Sequence, residues 1–168
     1  MQTTFKDFVI RDWAVSDRTA AAEVVKTVLA EYGLAWEASC GGCSDRDVVE
    51  VEKFYWQNGG EFWVIEQAGK LVGTGAYYPI ARSANPRGKG AVEIRKMYLL
   101  PEARGYGLGR YLLAQLEVAA AANGFTEIVV ETATVLTEAV ALYEKNGYEP
   151  ISEVETERCD KAYLKLIG

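Results

Sequence analysis

The run from Val92 to Val130 constrains this chain more than any other stretch. An apolar strand pattern, Val92 to Leu100, leads through a loop with glycines at 105, 107 and 109 into a helical pattern from Gly107 to about Asn123. Leu108, Leu112, Leu116 and Ala119 share one stripe of that helix. Gly124 closes it, and Ile128-Val129-Val130 follows as a short continuous apolar run, the pattern of a strand covered on both faces. A strand, a crossover helix and a second strand of this kind must lie parallel in one sheet, joined right-handedly. Any fold for the chain must hold that pair, with layers on both sides of it.

The flanking segments predict what surrounds the pair. Residues 8 to 13, FVIRDW, alternate as a strand does. Ser16 can cap a helix whose stripe is Ala21, Val24, Val25, Val28, Leu29 and Tyr32, with Gly33 as its end. A loop carrying Cys40 and Cys43 follows. Ser44 or Asp45 then starts a second helix, with Val48, Val51 and Tyr55 on one face, stopped by Asn58-Gly59-Gly60. Phe62 to Glu66 and Leu71 to Tyr78 form a hairpin about Ala68-Gly69-Lys70, and the polar loop SANPRGKG leads on to Val92. Residues 137 to 145 form a last helix ended by Asn146-Gly147, before strands near 148–154 and 162–166. The expected class is α/β, of the α+β type: a mixed, mostly antiparallel sheet of six to seven strands flanked by four helices, with the parallel pair at its centre. No linker interrupts the 168 residues, so residues 1–168 read as a single domain.

Composition removes several functions. No apolar run approaches the roughly 18 residues of a membrane span, and the start, MQTTFKDFVIRDWAV, lacks a signal-peptide layout, so the expectation is a cytoplasmic protein away from membranes. The net charge of −6 argues against nucleic acid as the main partner, since phosphate binding needs a clustered basic surface, and suits a cationic acceptor, although a local basic patch stays open. The chain has no histidine, which removes Ser-His and Cys-His nucleophiles and any zinc site that uses histidine. Three cysteines, Cys40 and Cys43 in a C-G-G-C loop and Cys159 alone, fall short of four zinc ligands unless a carboxylate joins them or two chains share the metal, so no metal is expected. The loop pair reads as free thiols; the pattern around it is not that of a thioredoxin-like unit.

The glycine loop carries the chemistry. Where Gly105, Gly107 and Gly109 remove side chains, backbone N–H groups can reach an anion, and the following helix N-terminus adds unsatisfied donors and partial positive charge. This is a site for a pyrophosphate, with Arg104 and Arg110 as further charge. A P-loop needs Gly-Lys-Ser/Thr, whereas Gly109 is followed by Arg110-Tyr111. The dinucleotide fingerprint needs a third glycine at 110 or 112, which are arginine and leucine. Glu131 ends the next strand as an acidic ribose ligand would, but only one βαβ unit is present, so an NAD-dependent oxidoreductase is disfavoured.

Read as R-x-x-G-x-G, Arg104 to Gly109 resembles the coenzyme A signature of the GNAT superfamily. The preceding EIRKMYLLPEARGYGLGRYLL resembles that family's fourth strand and third helix. Ala141-Leu142-Tyr143-Glu144-Lys145-Asn146-Gly147-Tyr148 is similar to its L-Y-E-x-x-G-F/Y segment. The resemblance is specific over residues 92 to 151. It implies a GNAT-like fold in which the central parallel strands splay, acetyl-CoA as cosubstrate, and N-acetyl transfer to a small-molecule or peptide amine. It implies that backbone groups of Met97, Tyr98 and Leu99 pair with the pantetheine arm, and that Arg104, Gly105, Tyr106, Gly107, Leu108, Gly109 and Arg110 surround the pyrophosphate. Tyr143 would stand near the thioester sulfur. Many relatives place an asparagine seven residues before that tyrosine; here position 136 is leucine, with Thr134 or Thr137 as possible substitutes. A homodimer is compatible with the resemblance.

Acetyl transfer from a thioester needs a deprotonated amine, a donor for the oxyanion and a proton for the departing thiolate. An alkylamine with pKa ~10.4 needs a base near neutral pH, and a phenol near ~10 can serve as the acid. Tyr143 is the acid candidate; Glu131 and Glu93 are the base candidates, each matching a catalytic position in some relatives. The acceptor is expected over residues 32 to 44, with Trp36, Glu37 and the C-G-G-C turn lining its place. The alternative is a non-catalytic CoA-binding sensor or interaction module on the same fold.

Overall fold

A computed structural model describes residues 1–39, 45–81 and 90–168. Its helices are α1 Arg18–Glu31, α2 Arg46–Val49, α3 Val51–Phe54, α4 Leu108–Ala122 and α5 Thr137–Lys145. Its strands are β1 Gln2–Phe5, β2 Phe8–Asp12, β3 Glu61–Gln67, β4 Lys70–Ile80, β5 Ala91–Leu99, β6 Glu127–Thr132, β7 Glu149–Ile151 and β8 Lys161–Leu166. They make one sheet in the order β1-β2-β3-β4-β5-β6-β8-β7. The pair β5–β6 is parallel, Ala91 to Ile94 against Glu127 to Val130, and every other neighbour is antiparallel. The crossover through α4 is therefore as the apolar pattern requires.

Both faces of the sheet are covered, which explains the unbroken apolar run in β3. Trp63 and Ile65 join Val92, Ile94 and Val130 under α4 and α5. Phe62 and Val64 point the other way, as alternation demands, into a second core with Val25, Leu29, Val48, Val51 and Tyr55. Burying four such side chains in β3 contributes roughly 1.5–3 kcal/mol each relative to exposure. Close seating of α4 on β4 depends on Gly75, where a Cβ would stand 3.0 Å from Leu112 Cδ2.

The structure departs from expectation in three places. The sheet has eight described strands, because β1 pairs with β2 from Gln2↔Arg11 to Phe5↔Phe8. Helix α1 begins at Arg18, not after Ser16; the Asp17 carboxylate accepts the Ala14 N–H at 2.8 Å and so fixes the turn before it. The second helix is broken into α2, α3 and a 3-10 turn, Trp56–Asn58, with Glu50 non-helical at φ −121°. The β-branched run Val48, Val49, Val51 disfavours a continuous helix there. Its expected face still holds, because Val48, Val51 and Tyr55 are all fully buried.

Candidate active site

The parallel ladder stops at Ile94 and Val130. Beyond it β5 stays with β4 and β6 stays with β8, so the central strands part. Along β5, Arg95 faces Ala76 and Tyr98 faces Thr74, which gives β5 one residue more than β4. Lys96 sits in this bulge at φ +51°, a left-handed conformation uncommon for a long side chain. Its carbonyl accepts the Thr74 hydroxyl at 2.6 Å.

Two cavities open from the gap. One, of about 300 Å³, is lined by Met97, Tyr98, Leu99, Arg104, Gly105, Gly107, Leu108, Gly109 and Arg110. Nine of the ten residues assigned to the cofactor are thereby brought together. Tyr106 does not line it: this residue is half exposed, and its carbonyl accepts Lys6 Nζ at 2.8 Å. Gly105 and Gly107 take φ of +81° and +82°, and a Cβ at Gly105 would meet nothing within 4 Å. The loop thus presents bare backbone to open space beside the N-terminus of the fifteen-residue α4, a cradle with the chemistry for a pyrophosphate. Arg104 is engaged differently from a free phosphate ligand. Its Nε donates to the Leu99 carbonyl at 2.9 Å, and its terminal nitrogens hold Glu31 at 2.6 and 2.8 Å.

The second cavity, of about 500 Å³, is polar. Glu93, Glu131 and Tyr143 all line it, together with Arg95, Lys96, Asp47, Arg158 and Cys159. Met97, Tyr98, Leu136, Ala139 and Tyr143 line both cavities and so form their common wall. The three catalytic candidates are therefore gathered at one place, with Tyr143 between the two spaces. Burial pushes the Tyr143 phenol above its ordinary value, and burial does the same for Tyr98. Burial also raises the Glu93 carboxyl, against the pull of Arg95, whose Nε donates to Glu93 Oε2 at 2.7 Å. Glu131 accepts the backbone N–H of Glu155 at 2.7 Å and of Thr156 at 2.9 Å, and so ties down the tail that borders the cavity. The Cys159 thiol is pushed up to about 11 by burial, which keeps it neutral.

Beneath this cavity lies a charge network with no local sequence signal. Asp45, fully buried, accepts Lys96 Nζ at 2.7 Å, Arg158 at 2.8 and 3.0 Å, and the Glu37 N–H at 3.0 Å. Asp47 stands 3.3 Å from Lys96 Nζ and accepts the Tyr55 hydroxyl at 2.6 Å. Burial alone would raise the Asp45 carboxyl, but Arg158 and Lys96 together hold it below its ordinary value. Asp45, Lys96, Arg158 and the Tyr98 ring escaped sequence reasoning because the first three meet from segments 51 and 62 residues apart.

Of the expected acceptor wall, Leu34 and Glu37 line the larger cavity. Trp36 instead packs against the second core, with Lys26 Nζ 5.3 Å from its ring centre. Cys40, Cys43 and Ser44 lie outside the described residues. Neither Thr134 nor Thr137 lines either cavity; Leu136 lines both. Among the described residues no group of three or more Cys, Asp or Glu side chains is arranged to hold a metal, and no helix is long and apolar enough to cross a membrane.

Comparison with known proteins bears on the same region. A family model described as the acetyltransferase (GNAT) family matches residues 27–148. An uncharacterised N-acetyltransferase of Escherichia coli K12, YjgM, is 36% identical over 143 residues, which are 85% of this chain and 83% of that protein. A solved acetyltransferase of Streptococcus agalactiae superposes with a TM-score of 0.83 over 97% of this chain and all of its own, at 22% identity. A GNAT phosphinothricin acetyltransferase of Sinorhizobium meliloti, solved in complex with AcCoA, gives 0.72 over 96% of this chain and 89% of its own, at 20% identity. At these identities the two solved structures speak for the fold.

Proposed function

The chain belongs to the GNAT acetyltransferase family and is an acyltransferase, and from that premise we propose that it carries the acetyl group of acetyl-CoA to a primary amine by direct attack. The observation that carries the reading is the common wall. Tyr143 stands between a cleft of bare loop backbone and a polar cavity that holds two candidate bases. Acetyl-CoA, when bound, supplies the acetyl group as an activated thioester. The amides of Gly105 to Arg110 and the N-terminus of α4 hold its pyrophosphate, with Arg110 as the added charge, since Arg104 is neutralised by Glu31. Backbone groups of Met97 to Leu99 direct the pantetheine arm along the parted edge of β5.

The amine enters the larger cavity as an ammonium. Glu93 removes its proton: Oε2 is held by Arg95, and burial gives the carboxyl more basicity than an exposed glutamate. The amine nitrogen then bonds the acetyl carbon, the carbon–sulfur bond breaks, the Tyr143 hydroxyl gives the departing sulfur its proton, and the second proton leaving the nitrogen restores that hydroxyl. Glu131 holds the tail segment and is the second base candidate. A cytoplasmic setting and one catalytic domain over residues 1–168 belong to the same proposal.

Thermal unfolding with acetyl-CoA, CoA, NADH and ATP in parallel tests the first half. A ligand at 100 times its Kd adds about 2.7 kcal/mol of stability. A shift with the two CoA forms is expected, and a shift with NADH or ATP alone would end the reading. Release of free CoA in the presence of a panel of primary amines tests the second half. Leu136, apolar where many relatives carry an asparagine, favours one other reading, a CoA-binding module. CoA binding with no turnover of any amine would select it.

A further inference from the structure

We propose that Lys96 is a positioning residue: held by Asp45 and Asp47 from the acceptor side, it fixes the bulge of β5 that decides which face of the strand lines the cofactor cleft. The inference deepens the acetyl-CoA reading above and rests on it. Alternation along β5 shows what the bulge does. Val92 and Ile94 point into the core under α4 and α5. Glu93 and Arg95 point the other way, with the Arg95 guanidinium 4.7 Å from the Tyr78 ring centre. Regular alternation would send Lys96 after Ile94 into the apolar core.

The extra residue cancels that step. Lys96 follows Arg95 onto the same face and reaches Asp45 at 2.7 Å and Asp47 at 3.3 Å. Alternation then resumes out of phase: Met97 and Leu99 pack toward α4 and α5, and Tyr98 toward the opposite core. A one-residue slip exchanges the two faces of a strand, so relaxing the bulge would turn Met97, Tyr98 and Leu99 over in the cleft. The left-handed φ of +51° at Lys96 is unfavourable for a lysine and persists only where surroundings over-determine it. The two carboxylates supply that constraint through the ammonium, and Thr74 supplies it through the carbonyl. The start of α2, from Asp45 to Asp47, is thereby coupled to the cofactor side through one side chain.

Glycine separates the backbone role from the charge, because it takes positive φ freely. CoA affinity measured by isothermal titration on the full chain, with folding checked by circular dichroism, is the readout. Lys96→Met should weaken CoA binding by about tenfold or more, whereas Lys96→Gly should stay within about threefold of the native chain. Unchanged affinity in both variants would overturn the proposal, since a purely structural lysine lowers the melting temperature without altering the folded cleft. Equal loss in both would also overturn it, because the ammonium would then act without the bulge. If Lys96→Met does not fold, Asp47→Asn decides. It leaves Lys96 paired with Asp45 and should weaken CoA by about threefold, a loss that Lys96→Gly in the same chain abolishes; no loss overturns the proposal. Failure of the native chain to bind CoA would instead remove the cofactor reading itself.

Discussion

At the scale of single residues, the buried tyrosines differ in what their hydroxyls do. Tyr55 donates to Asp47 at 2.6 Å, Tyr148 to Glu117 at 3.0 Å and Tyr163 to Glu144 at 2.9 Å. The Tyr143 hydroxyl makes no hydrogen bond among the described residues, stands on the wall between the cavities, and is kept neutral by burial. That hydroxyl is therefore not tied to a structural hydrogen bond among the described residues. Tyr143→Phe should therefore lower turnover by about a hundredfold while leaving CoA affinity nearly unchanged, as initial rates and titration of CoA would show; equal turnover would remove its role as acid. Glu93 carries a second prediction. A general base works ionised, so the rate falls as pH drops through its pKa. Burial raises that pKa, which places the acidic limb of kcat/KM above the ordinary glutamate value. Glu93→Gln should abolish this limb and Glu131→Gln should keep it. A limb that survives Glu93→Gln would pass the role to another group. Tyr143 was legible because its motif is contiguous. The Tyr98 ring was not, because only the fold turns it toward both cavities.

At the scale of elements, the strand, turn and helix start around the glycine loop were legible because all three are local. Strand β1 was missed because Gln2-Thr3-Thr4-Phe5 is mostly polar, and an edge strand with one neighbour needs little apolar patterning. The broken second helix was missed because its burial period survives the break at Glu50. The loop offers its own test. Gly107 sits at φ +82° just before α4, and a Cβ there would lie 3.9 Å from Phe5 Cζ, an ordinary contact. Conformational strain is thus the main stability cost of Gly107→Leu, about 1–2 kcal/mol. Gly59, at φ +76° with nothing within 4 Å of its Cβ position, is the matched control. Both leucine variants should lose similar stability in urea, but only Gly107→Leu should lose CoA binding. Retained affinity in that variant would show that the backbone of the loop does not approach the cofactor.

At the scale of the whole molecule, Asp45 is where three distant parts of the chain are joined: the segment after α1, the bulge of β5 and the tail through Arg158. No sequence pattern could announce it, since each partner is by itself an ordinary charged residue, and only the parting of β5 and β6 makes a buried place for their charges. Removing one partner of a buried ion pair costs about 3–5 kcal/mol, so Asp45→Asn should destabilise the chain by that order at neutral pH. The pH dependence follows from the direction of the shift. The folded carboxyl lies below the ordinary aspartate value, held there by Arg158 and Lys96 against the effect of burial. Its contribution is then complete above the unfolded value and is lost as pH falls through the folded one. Urea midpoints of the native chain and Asp45→Asn should differ by a constant amount from pH 7 to about pH 5, and the gap should narrow below about pH 4. A gap that stayed constant down to pH 3 would mean that the ionised carboxylate does not hold these segments together. Shape alone would then have to keep the tail and the loop against the splayed strands.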